Sequence, residues 1–131
     1  MELQIDKGSS LKNIQKQFNA FYPFLKIEFF KKIPVDQPLY RVELFSNNEL
    51  LKFIEGAPNG IVVIDVNRKR TVFEVEIDFE KQLGISAHVF RKSGNVWVET
   101  TLTNDWSLED QNEEGKQISS HFIEKKTESK N

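Results

Sequence analysis

The apolar positions change their period along the chain, and each change predicts an element. Leu11, Ile14, Phe18, Phe21 and Tyr22 recur at helical spacing with Lys12, Asn13, Lys16 and Gln17 off the stripe, which predicts an amphipathic helix over residues 11–22. Ser9 or Ser10 supplies its N-cap, and Pro23 ends it because proline cannot continue the hydrogen-bond ladder. Residues 2–6 before it are a short strand candidate. After it, Leu25, Ile27 and Phe29 alternate with Lys26, Glu28 and Phe30, the period of a strand. A loop over residues 31–38, a strand over 39–45 and a short helix over 47–55 follow. Ser46 and Glu49 form a capping-box pattern for that helix, and Gly56-Ala57-Pro58-Asn59-Gly60 ends it.

Residues 61–66 are nearly all apolar and predict a central strand. The segment from Val72 to Gly84 fits two periods. Val75, Ile77 and Phe79 alternate with acidic residues as a strand would, whereas Val72, Val75, Phe79 and Leu83 suit a helix that is capped by Thr71 with Glu74 and closed by Gly84. Two β-rich runs, residues 85–92 and 96–102, then flank a turn at Ser93, Gly94 and Asn95 and predict a hairpin. A turn centred on Ser93-Gly94 sets Phe90 opposite Trp97 and His88 opposite Glu99, with Val89 and Val98 meeting on the other face. A second short helix is expected from Ser107 to Gly115.

An internal duplication resolves the ambiguous segment as a helix. With an offset of 61, Ser10, Leu11, Ile14, Phe18 and Tyr22 fall on Thr71, Val72, Val75, Phe79 and Leu83. With an offset of 60, Phe30-Lys31-Lys32 falls on Phe90-Arg91-Lys92. Later, Tyr40 falls on Trp97 and Ser46-Asn47 on Thr103-Asn104. The expected fold is therefore α+β: tandem duplicated βαββα halves, about residues 1–57 and 60–115, with helices packed against a largely antiparallel sheet. The halves form a single domain over 1–115, and a polar, partly mobile tail occupies 116–131.

Composition narrows the function classes. The chain has 131 residues and a formal net charge of −2, so no global field favours nucleic acid or an anionic membrane. It has no cysteine, which excludes disulfides and thiol chemistry, and two histidines, which are too few for a histidine-rich metal centre. MELQID lacks the features of a signal peptide, and no run approaches the length of a membrane helix, so a cytoplasmic protein is expected. No nucleotide-binding fingerprint, cofactor motif or catalytic constellation is present, so neither a cofactor nor an enzymatic role is expected.

The stretch from Thr71 through Phe79 and Gly84 to VFRKSGNVWVETTLTNDWSLEDQNEEG resembles a recurrent segment of a family of small bacterial proteins to which no activity is attached. The resemblance implies a bacterial source and a helix before the hairpin. It implies no site residue.

Candidate chemistry lies on the outer hairpin face, where Phe90, Trp97, His88 and Glu99 gather, with Phe30 and Tyr40 as their counterparts in the first half. Six such residues on one face suit a protein partner or a second copy of the chain, unless the short helices or the tail cover them. The basic turn Arg68-Lys69-Arg70, extended by Arg91 and Lys92, suits an anion or nucleic acid at a helix N-terminus, the alternative being a solvated turn balanced by nearby carboxylates. His88 with Glu99 also suits an acid–base pair, although a sheet face supplies no nucleophile and no oxyanion hole of its own.

Overall fold

The computed structural model describes residues 1–32, 41–44 and 46–129, with side chains through residue 121. Its elements are β1 (Glu2–Ile5), α1 (Leu11–Phe21), β2 (Leu25–Lys31), α2 (Leu51–Glu55), β3 (Val62–Asp65), α3 (Val72–Leu83), β4 (Ile85–Ser93), β5 (Val96–Glu99) and α4 (Leu108–Ser129). Both long amphipathic helices start where a hydroxyl replaces the missing backbone acceptor. Ser10 Oγ accepts the Asn13 N–H at 2.9 Å. At α3 the capping box is complete, with Thr71 Oγ1 accepting the Glu74 N–H and the Glu74 carboxylate accepting the Thr71 N–H. The helical reading of 72–83 holds because Val72, Val75, Phe79 and Leu83 are buried while Ile77 is only partly so, and Gly84 closes the helix at φ 67°.

Two antiparallel sheets result, and each joins the first half of the chain to the second. β1 pairs with β3 from Glu2↔Asp65 to Ile5↔Val62. β2 pairs with β4 from Leu25↔Arg91 to Lys31↔Ile85, and β5 lies outside β4 in the order β2-β4-β5. The fold is thus α+β, with four helices and two sheets among the described residues; the sequence leaves open one shared sheet or one sheet per half, and both sheets here draw strands from both halves. β3 is not a central strand: Val62 and Ile64 are buried, but Val63 stays 40% exposed on the open side of a two-stranded sheet. Of the expected strand over 39–45, residues 42–44 lie along the free edge of β2, where the Lys31 N–H donates to Val42 O and the Leu44 N–H to Phe29 O. Residues 33–40 and 45 fall outside the described set.

The core is the set of inward-facing side chains of both sheets closed over by α1 and α3. Leu3, Ile5, Val62 and Ile64 come from one sheet and Leu25, Ile27, Phe29, Ile85, Ala87 and Val89 from the other. Each fully buried Leu, Ile or Phe contributes roughly 1.5–3 kcal/mol relative to an exposed one. Phe29 packs on Phe79 at 5.2 Å between ring centres, and the Tyr22 hydroxyl, which burial pushes up to about 12 against the nearby Arg68 charge, donates to Val66 O at 2.6 Å.

Four local expectations are corrected. The hairpin pairs Phe90↔Glu99, Arg91↔Val98, Lys92↔Trp97 and Ser93↔Val96, because the turn is the two residues Gly94-Asn95. Gly94 takes φ 68° and Asn95 does not follow it to positive φ, the combination of a type II′ turn. The pairing moves by two residues, so every side chain keeps its expected face. Second, β5 ends at Glu99 and Leu102 stands 98% exposed in a 3-10 turn. Third, the Ser46 capping box does not form: Asn47 takes the cap position of a 3-10 turn before α2, and Glu49 pairs instead with Lys31 at 3.3 Å. Fourth, α4 runs through Gly115 to Ser129. A Cβ at Gly115 would lie 3.0 Å from Phe24 Cβ, 3.1 Å from Arg91 Cγ and 3.2 Å from Lys92 O. The glycine there permits a close crossing over β2 and β4 and does not stop the helix.

Candidate functional site

The outer face of the three-stranded sheet follows from the alternation along each strand. β2 contributes Lys26, Glu28 and Phe30, β4 contributes Ser86, His88 and Phe90, and β5 contributes Trp97 and Glu99. Five of the six expected face residues therefore share one surface, and Tyr40 lies outside the described residues. α1, α3 and α4 pack on the opposite side, where the core is.

Charge organises this surface. Lys26 Nζ sits 5.4 Å from the centre of the Phe90 ring and 5.1 Å from that of Trp97, and bonds Glu28 at 2.9 Å. Phe90 and Trp97, expected to face each other, are diagonal neighbours linked by this cation. Arg41 lies 5.2 Å over the Phe30 ring and grips Glu99 with two hydrogen bonds, 2.6 and 3.3 Å. His88 meets Phe30 edge-on at 5.5 Å.

Beneath the aromatic groups runs a chain of titratable side chains. His88 Nδ1 lies 3.2 Å from Glu99 Oε1, and its Nε2 lies 3.2 Å from Ser86 Oγ. Where β5 stops, Glu76 of α3 reaches round the sheet edge, accepts the Val89 N–H at 3.1 Å and comes within 3.9 Å of His88 Nδ1. Burial pushes the Glu76 carboxyl up to about 7, against the Val89 hydrogen bond and with help from the Glu99 charge. Burial, reinforced by Arg41, lowers His88 and keeps it neutral near pH 7. Burial alone would raise Glu99, but the Arg41 hydrogen bond and charge, with His88, leave it below the usual carboxylate value. Nδ1 of His88 thus lies within ion-pair distance of Glu99, while Nε2 shares a hydrogen bond with the Ser86 hydroxyl.

No family model, no curated protein and no solved structure matches this chain. The site is therefore read from its own chemistry.

Ser86, His88 and Glu99 stand in the order of a hydrolytic relay. A relay also needs a cleft for substrate and donors for an oxyanion. A cleft of about 620 Å³ between Phe53, Pro58 and Val63, and those at Trp106, at Lys52 and at Ile54, are lined by none of the three residues. What the arrangement does is hold Arg41, Glu99 and His88 in fixed positions under Phe30. Among the described residues, no group of three or more His, Cys, Asp or Glu side chains is placed to hold a metal ion.

The basic residues are dispersed. Arg70 donates to Asp65 O at 2.9 Å, bonds Asp78 and approaches Glu74 at 3.8 Å, while Lys69 bonds Glu109 at 3.1 Å. The first N–H groups of α3 are committed to Trp106 O, Asn104 O and Thr71 Oγ1. The turn at Arg68 thus offers no helix-terminal donor to an anion, and the anion-binding expectation loses the feature that motivated it. Arg91 does not extend a rim beside Phe90. It lies on the inner face, bonded to Gln111 at 2.9 Å and stacked 5.8 Å from Trp106. Lys92, opposite Trp97, remains on the outer face.

Sequence reasoning missed Lys26, Arg41, Ser86 and Glu76. Ser86 shares strand period with His88, and Lys26 with Phe30, so both were legible. Glu76 interrupts the apolar stripe of Val72, Val75 and Phe79, which marks it as a carboxylate turned toward packed surface. Arg41 carried no signal, since its reach depends on how residues 42–44 dock on β2.

Proposed function

We propose that the chain is a non-catalytic interaction module that binds a protein partner, or a second copy of itself, through the outer face around Phe90 and Trp97. The observation that carries this reading is a sheet face on which no described helix packs and whose aromatic groups are held in place by Lys26 and Arg41. Trp97 is 36% exposed at its centre. Rigid aromatic groups ringed by charge are the usual anchors of protein interfaces. Trp97→Ala should keep the far-UV spectrum and weaken self-association or partner capture at least tenfold. A folded Trp97→Ala protein whose association is unchanged would remove this reading.

We infer also that the chain is a tandem duplication of βαββα halves. What supports it is the agreement of equivalent contacts. Ser10 and Thr71 cap their helices on the third residue alike. β1 with β3, and β2 with β4, are then each a repeat element paired with its own copy.

A further inference from the structure

The edges of the two sheets are not treated alike. The outer side of β1 is closed by the Gln17 amide, which accepts the Gln4 N–H and donates to Gln4 O, both at 3.2 Å. On β3 Arg70 takes Asp65 O, although the outward N–H and C=O of Val63 stay open among the described residues; the edge of β2 is taken by residues 42–44, and the Val89 N–H of β4 by Glu76. β5 has no such guard. Since the Thr100 N–H bonds Val89 O, the N–H and C=O groups of Val96 and Val98 face β4 and those of Trp97 and Glu99 point outward. Among the described residues, none bonds them. Val96, Trp97 and Val98 are 53%, 36% and 38% exposed. Natural edges carry lysine, proline or a bulge against chance pairing. The single charge of β5, Glu99, is drawn back across the sheet by Arg41 and His88.

We propose that β5 pairs antiparallel with β5 of a second copy of this chain, about a two-fold axis at Val98. A row of outward N–H and C=O groups fits only extended backbone. The second copy is that backbone because the strand complements itself. About Val98, every outward group of Trp97 and Glu99 finds a partner, and Val98 packs on Val98 across the axis. Trp97 falls opposite the second copy's Glu99, so the two Glu99 charges do not meet, and Lys26 above Trp97 faces an added carboxylate. The pairing goes beyond the outer-face reading and stands without it, since Val98 and Trp97 lie on opposite faces.

Light scattering on the full chain should give twice the mass of one chain at high concentration. Val98→Lys should give a folded monomer, because lysine is tolerated at exposed edges but two lysines face each other across the axis. Val98→Lys mixed with Val98→Glu should restore the dimer. In the wild-type chain, exchange of the Trp97 and Glu99 amide protons should slow as concentration rises, a readout that holds even if Val98→Lys does not fold. A wild-type monomer, a dimer indifferent to Val98→Lys, or Trp97 and Glu99 amides whose exchange ignores concentration would each overturn the pairing.

Discussion

Glu76 is where a single side chain governs behaviour in solution. Its carboxyl is raised from 4.5 to about 7, so between those values the folded chain keeps a proton that the unfolded chain has released. The stability this represents is complete below pH 4.5 and is lost as the pH rises through about 7, a change on the order of 3 kcal/mol. His88 opposes it. Its folded value lies below 6.5, so the unfolded chain takes up the proton first and stability falls as the pH drops below that point. Glu99, also lowered, loses its contribution only in acid, below about 4.5. The charged groups facing Glu76 are Glu99 and Arg41, with neutral His88 at 3.9 Å. Glu76→Gln keeps an acceptor for the Val89 N–H but removes the titration. Urea melts at pH 5 and pH 8 should then show stability rising with pH in the variant and a flatter or falling profile in the wild type. Identical profiles would mean that Glu76 is an ordinary carboxylate. The sequence displays Glu76 as a break in an apolar stripe, but its neighbours come from strands that only the folded sheet brings near.

At the scale of the element, the helices were legible and the hairpin register was not. Apolar spacing and caps act within a few residues, so Ser10, Thr71 and Gly84 announce their helices directly. Thr71→Ala should lower stability by about 1 kcal/mol through loss of the cap. Gly84→Ala should cost more, since φ 67° disfavours a side chain and the new Cβ would collide with the Phe53 ring. Register depended on which residues form the turn, and Ser93-Gly94-Asn95 admits two choices that preserve the same faces. The end of α4 was misjudged because glycine reads the same in a sequence whether it stops a helix or lets one pass close to a strand. Gly115→Ala distinguishes these roles. A helix interior gains about 1 kcal/mol from the exchange, yet the methyl would press on Phe24 Cβ and Lys92 O. A lower melting temperature is expected, and a higher one would show that the crossing has room to spare.

At the scale of the molecule, the sequence leaves open whether the two halves share a sheet, because no local pattern says which strands pair; β1 pairs with β3 and β2 with β4, each across the halves. No helix among the described residues is long and apolar enough to cross a membrane. Both sheets depend on the two halves together. Residues 1–57 and 60–131 expressed apart should each lack cooperative structure by circular dichroism and amide exchange, and should regain it on mixing. If the 1–57 fragment folded alone, the shared sheets would not be what stabilises it.

The same exchange of strands has a consequence for synthesis on the ribosome. β1 and β2 emerge first, but β1 meets β3, and β2 meets β4, only about sixty residues later. Until β4 has left the exit tunnel the nascent chain holds apolar strands without their later partners, in a state that favours wrong pairings. The first half is therefore made well before it can be completed, and of the elements that pack on β1 and β2 in the folded chain only α1, with its buried stripe, is already present in that interval.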